Sequence, residues 1–283
     1  MVPIAITHAD DPRLGDYRDL KERHLNTLGG RFIAESERVV RRLLASGLRV
    51  HSLLATPARL ATLADALALR PPPGTGGDED RFPVYVVAQM IMDRIAGFHV
   101  HRGCLAVGER PAEAAVPADA RTVVVLEDLV DVDNLGAVAR NAAALGAGAL
   151  CLSPGCADPF YRKAIRVSLG AVFFLPVVRF ARWPDDLLGL RAAGFQLVAA
   201  TPRAGATPLP AFVRPERMAL LLGSEGPGLS SAVLDLADQL VAIPMAASGA
   251  SMGVDSLNVA TAGAVILYAL GEPSAKARPN PSR

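Results

Sequence analysis

The chain has 283 residues, 51% of them hydrophobic and 20% charged, with a formal net charge of +1. That composition supports one large or two ordinary globular domains with ample core, and it excludes a largely disordered chain. The near-neutral total removes the simplest compositional argument for a nucleic-acid partner, although a local basic patch is enough to grip phosphates.

Cys104, Cys151 and Cys156 form no C-x-x-C pair, and no histidine lies close to the last two. No metal site is expected, and the odd count fits a reducing, cytoplasmic setting. The opening "MVPIAITHADD" lacks a basic stretch followed by an apolar one, so no signal peptide is expected. The longest apolar helical stretch, near 257–270, falls short of the roughly 18 residues of a membrane span and reads as a buried helix.

Residues 1–107 read as a small α/β domain. After the charged, helix-like "YRDLKERHLN" comes "GGRFIAESERVVRRLLASG", in which Val39, Val40, Leu43 and Leu44 recur with helical spacing and Gly47 supplies a stop. Short strands are predicted at "VHSLLAT" and "FPVYVVA", with a loop at "RPPPGTGGDEDR", residues 70–81. Arg38, Arg41 and Arg42 fit a solvated helix face paired with Glu35 and Glu37 better than an RNA contact. Residues 108–120, rich in Ala, Pro and Glu, read as a linker.

From 121 to 272 strands and helices alternate. The predicted strands are 122–127, 149–153, 172–178, 195–201, 217–223 and 239–244, with helices starting near Asn134, Pro159, Pro184, Leu229 and Ser256. Strands apolar along their length, separated by helices, imply a mostly parallel sheet covered on both faces. Ligands in such sheets lie beyond the carboxyl ends of strands. The polar, Pro-rich end, 273–283, reads as a loose tail.

Three strand ends carry the candidate chemistry. In "EDLVDVDNLGAVARNAAALGAG", Asn134 is an N-cap candidate and Arg140 shares a helix face with Gly136. A glycine inside a helix costs roughly 1 kcal/mol relative to Ala, which suggests a close approach there. In "LLLGSEGPGLS", a buried strand runs into a loop whose backbone amides could bind a ligand, with Glu225 its only charge. In "IPMAASGASMGVDSLNVATAGAVILYAL", Asp255 or Ser256 can cap the last helix, whereas Asn258 needs other partners. The glycines of "GAG", 146–148, follow a helix and precede a strand, the wrong order for a dinucleotide fingerprint.

These three motifs, in this order, with "CADPFYRKAIRVSLGAVFFLPV" between them, resemble the SpoU-type (TrmH-like) RNA ribose 2′-O-methyltransferases of the SPOUT superfamily over about 121–271. More loosely, "GRFIAESERVVRRLLASG" through "GFHVHRGCLAVGER" looks like the ribosomal-protein-like substrate-binding domain often fused to that family. The resemblance implies a C-terminal deep trefoil knot that binds S-adenosyl-L-methionine, and a homodimer whose site is completed across the interface. It places Asn134, Arg140, Glu225, Ser256 and Asn258 at functional positions. It assigns the cofactor to backbone around Gly223, Ile243 and Leu257, with Thr201 close by.

Arg140 falls on the family's proposed base. A guanidinium stays protonated in proteins, so gripping the RNA phosphate beside the reacting ribose is the alternative role, with the proton's acceptor open. Ser256 and Asn258 would orient Arg140, the ribose or the cofactor. Pro159 to Pro184 contains no acidic residue but carries Arg162, Lys163, Arg166, Arg179 and Arg182, which suits contact with tRNA or rRNA. His99, His101 and Arg102 form a weaker second candidate. The 245–255 loop is longer than the family usually has. The rival expectations are a catalytically silent RNA-binding protein of the same fold, a SPOUT base methyltransferase, and a small-molecule or dinucleotide enzyme.

Overall fold

The computed structural model describes residues 2–18, 20, 30–69, 82–97, 100, 103–246, 253 and 255–271. The predicted loop 70–81, His99, His101, Arg102, the 273–283 tail, residues 21–26 of the charged opening and most of the long 245–255 loop lie outside them. The chain divides into two compact units, Met1–Ala114 with Asp158–Phe174 and Ala115–Ala157 with Leu175–Arg283. The first change of unit falls inside the expected linker. The inclusion of 158–174 in the first unit is not visible in a linear division.

The first unit is built on a mixed sheet of β1 (Ile4–Ala5), β2 (Arg31–Glu35), β3 (Val50–Ala55), β4 (Val84–Val86) and β5 (Cys104–Glu109), in the order β1-β4-β3-β5-β2. Helix α1 (Glu37–Ala45) buries Val39, Val40, Leu43 and Leu44, the four positions its periodicity singled out. Arg41 pairs with Glu37 at 3.0 Å and with Asp65 at 2.8 Å, and Arg42 donates to the carbonyl of Leu169. Glu35 instead takes Arg162, at 2.6 Å. Phe32 is fully buried opposite Gly108, where a Cβ would overlap its ring. It stacks on Phe173 and packs against Phe160, with centroids at 5.2 and 5.3 Å. These aromatic contacts tie 158–174 to the first sheet.

The same contacts account for one wrong expectation. The predicted strand 172–178 is a short 3-10 turn, 171–173, followed by a strand only at Val177–Arg179. Leu169 and Gly170 take positive φ and turn the chain, and Val172 and Phe173 are buried as parts of that turn. A continuous apolar run reports burial but not geometry.

The second unit carries a seven-stranded sheet whose pairings are all parallel. Its strands are β6 (Thr122–Leu126), β7 (Ala149–Leu152), β8 (Val177–Arg179), β9 (Gln196–Ala200), β10 (Thr207–Pro208), β11 (Met218–Leu222) and β12 (Gln239–Ala242). The order is β10-β12-β9-β11-β6-β7-β8. Every residue of β6, β7 and β11 is buried, as strands covered on both faces require. Burial also pushes the Cys151 thiol on β7 up to about 12, so it stays protonated and inert. Among the described residues, no helix is long and apolar enough to cross a membrane.

Replacing Phe32 with Ala removes the ring that Phe160 and Phe173 pack against. The expected loss is about 3–5 kcal/mol of stability in urea unfolding. Hydrogen exchange should accelerate first across 158–174, ahead of β6 and β7.

Candidate active site

The site is assembled from the carboxyl ends of β6, β9, β11 and β12. After β6, helix α2 (Val132–Ala144) begins two residues earlier than predicted, and its N-cap is Asp131 rather than Asn134. The Asp131 carboxylate accepts from the backbone of Asp133 and Asn134, at 2.8 and 2.9 Å. Leu135, Val138, Ala139 and Ala142 form the buried stripe of this helix. With its backbone capped by another residue, the Asn134 side chain is free to point outward.

After β11 the chain makes a tight return. Gly223 has no room for a Cβ, which would overlap the backbone of Gly228 and Leu229. A bridge joins Ser224 to Gly228, and Gly226 and Gly228 take the positive φ that glycine favours. Helix α3 (Ser231–Leu236) then starts behind the N-cap Ser230, so Leu229 belongs to the loop and not to the helix.

After β12, helix α4 (Val259–Leu270) is capped by Asn258 itself, not by Asp255 or Ser256. Its Oδ1 accepts from the backbone of Ala260 and Thr261, at 2.9 and 3.4 Å. The Ser256 hydroxyl donates to Asp255 at 2.9 Å. Capping leaves the Asn258 amide with two N–H groups, and these are used across the site. Nδ2 donates to Asn134 Oδ1 at 2.8 Å and to Glu225 Oε1 at 3.2 Å, while Asn134 Nδ2 donates to the same carboxylate oxygen. Three loops from three strand ends therefore meet in one hydrogen-bonded triangle. Behind it, Asn141, two turns along from Asn134, donates to the carbonyl of Ala260 at 2.9 Å and ties α2 to α4.

Beside the triangle lies a cavity of about 720 Å³. Thr201, Gly223, Ile243 and Leu257 all line it, as do Glu225, Ser256 and Asn258. Its remaining wall includes Leu222, Leu229, Val259 and Ile266, and Arg203 and Met245 also line it. Those last two were missed, although Arg203 follows a strand end by a few residues and was open to the same argument as Thr201.

Arg140 is not part of this assembly. It is exposed, and it makes no hydrogen bond or ion pair to another described residue. Six residues separate it from Asn134, which puts the two on different faces of α2. The basic segment is also less uniform than expected: Arg162 is held by Glu35 and Arg182 by Asp186, whereas Lys163 and Arg166 are exposed on a short helix, 162–167.

Asn258 has two separable duties, capping and bridging. Asn258→Ala should lower stability by about 1 kcal/mol in denaturant unfolding. Asn258→Ser should recover most of that loss by supplying a cap oxygen, while removing both bonds from position 258 to Asn134 and Glu225.

The comparisons with known proteins bear on this geometry. The model of the SpoU rRNA Methylase family matches residues 121–268. An uncharacterized tRNA/rRNA methyltransferase of Mycobacterium bovis is 46% identical over 269 residues, covering 92% of this chain and 88% of the relative. The 23S rRNA (guanosine(2553)-2′-O)-methyltransferase RlmP of Bacillus subtilis is 28% identical, covering 94% of this chain and 98% of that one. The crystal structure of an AdoMet-bound rRNA methyltransferase from Sinorhizobium meliloti superposes with a TM-score of 0.76 at 26% identity, covering 94% of this chain and 97% of the other. The chain belongs to the SpoU rRNA Methylase family.

Proposed function

We propose that this protein transfers a methyl group from S-adenosyl-L-methionine to a ribose 2′-hydroxyl of a ribosomal or transfer RNA. The observation that carries the reading is the cavity at the strand ends, flanked by the Asn134–Glu225–Asn258 triangle. The resemblance to a 2′-O-methyltransferase over nearly the whole chain favours ribose over base as the target.

The residues present fit the cofactor. The volume lies in the range of small-molecule sites. Gly223, Gly226 and Gly228 bring bare backbone to the cavity wall, and Ile243, Leu257, Val259 and Ile266 offer apolar surface for a purine ring. When bound, S-adenosylmethionine supplies a methyl group on a cationic sulfur, an electrophile that needs no further activation. The protein's task is to bring the 2′-oxygen into line with it. The triangle fixes the rim against which the ribose would be held. Arg140 grips the phosphate beside that ribose.

An exposed Arg140, on a different face of α2 from Asn134, supports a homodimer in which each protomer's Arg140 serves its partner's site. Val265 and Tyr268, exposed on α4 next to α2, would supply apolar contact for that association. The first unit, 1–107 in the sequence division, serves as the RNA substrate-binding domain, and the family's C-terminal trefoil knot is expected in the second. Lys163 and Arg166 contact RNA phosphate, and Arg162 holds their helix through Glu35.

Arg140→Ala should abolish transfer of label from S-adenosylmethionine to RNA while leaving cofactor affinity and thermal unfolding unchanged; undiminished turnover would remove Arg140 from the mechanism. Mixed in equal amounts with inactive Gly223→Ala, it should recover roughly a quarter of wild-type activity, because half of the re-formed dimers then hold one intact site. No recovery after subunit exchange would place Arg140 in the site of its own chain.

A further inference from the structure

Glu127 lies at the carboxyl end of β6, buried at 5% exposure and outside the cavity and the triangle. A buried carboxylate is costly unless donors satisfy it. Here its Oε2 accepts from the backbone N–H of Ser230 at 2.7 Å, and its Oε1 accepts from the Ser230 hydroxyl at 2.7 Å and from Trp183 Nε1 at 2.8 Å. Its own backbone N–H donates to the carbonyl of Leu222 at 2.9 Å. Leu222 is the last residue before the glycine loop 223–229, and Ser230 is the first after it. One residue therefore holds both ends of the loop that walls the cavity. Ser230 passes the restraint on, since its hydroxyl oxygen also caps α3 by accepting from Val233 at 3.3 Å.

We infer that Glu127 is a positioning residue for cofactor binding, clamping the two ends of the 223–229 loop so that its backbone is preorganised for the ligand. The inference rests on the cavity being the S-adenosylmethionine site. A loop fixed before binding has less freedom to lose on binding, so releasing one end weakens affinity without removing any ligand contact. Trp183 shares the carboxylate and stacks on Phe180 but forms neither end of the loop, so its loss removes a donor to Glu127 without releasing Ser230 and separates stability from positioning.

The test is calorimetric titration of S-adenosylmethionine into the full-length protein, paired with thermal unfolding. Glu127→Gln, which keeps the shape but loses one acceptor oxygen, should raise Kd about tenfold. Ser230→Ala, which loses the hydroxyl donor to Glu127 together with the cap of α3, should raise it about threefold and carries the test if Glu127→Gln fails to fold. Trp183→Phe should lower the melting temperature with Kd unchanged. Unchanged affinity in the folded Glu127 and Ser230 variants overturns the clamp, as does a Kd in Trp183→Phe that rises in step with lost stability. A wild-type protein that does not bind S-adenosylmethionine overturns the functional reading itself, and the clamp with it.

Discussion

The backbone at residue 223 lies so close to that of residues 228 and 229 that no side chain can come between them. The rest of the site depends on this close return. It lets the chain leave a fully buried strand, reverse within a few residues and enter a helix, leaving peptide groups rather than side chains at the mouth of the cavity. It also lifts Glu225 to where one carboxylate oxygen meets the amides of both Asn134 and Asn258. A Cβ at position 223 would push the loop outward, disturbing the cavity wall and the triangle together.

The triangle is exposed, so its bonds compete with water and each contributes little to stability. Its value is geometric. Each member sits at the start of a rigid element or in a loop pinned at both ends. Asn134 stands on a helix capped by Asp131, Asn258 caps its own helix, and Glu225 rides on a loop clamped by Glu127. The expensive interactions are underneath, in the buried strands and in the carboxylate of Glu127, which has three donors. Stability and chemistry are thereby separated, and polar groups at the surface can hold a fixed arrangement without being buried.

Much of this was readable in the sequence because it is local. Strand ends at Leu126, Ala200, Leu222 and Ala242 fall within two residues of the predicted ones, since apolar runs broken by Gly, Pro and Asp announce where a strand must stop. The residues expected around the cofactor all line one cavity because the parallel sheet brings those ends to one edge. The caps were misassigned for a physical reason. "DVDN" and "DSLN" each contain several residues able to cap, and the choice among them depends on which side chain is needed elsewhere. Asn258 does both jobs with the two ends of one amide. The strand predicted at 172–178 failed because its apolar residues answer to Phe32, far away in the chain. Glu127 was invisible for the same reason, since its partner Ser230 lies 103 residues on.

The reaction proposed for this site is methylation of ribose. The most direct measurement is nucleoside analysis by mass spectrometry of unmodified rRNA and tRNA after incubation with the protein and S-adenosylmethionine carrying a deuterated methyl group. The heavy methyl is expected on the sugar of a single 2′-O-methylnucleoside from one of the two RNA pools. A heavy methyl found on a base, or an RNA left unlabelled by a protein that binds both cofactor and RNA, would contradict it.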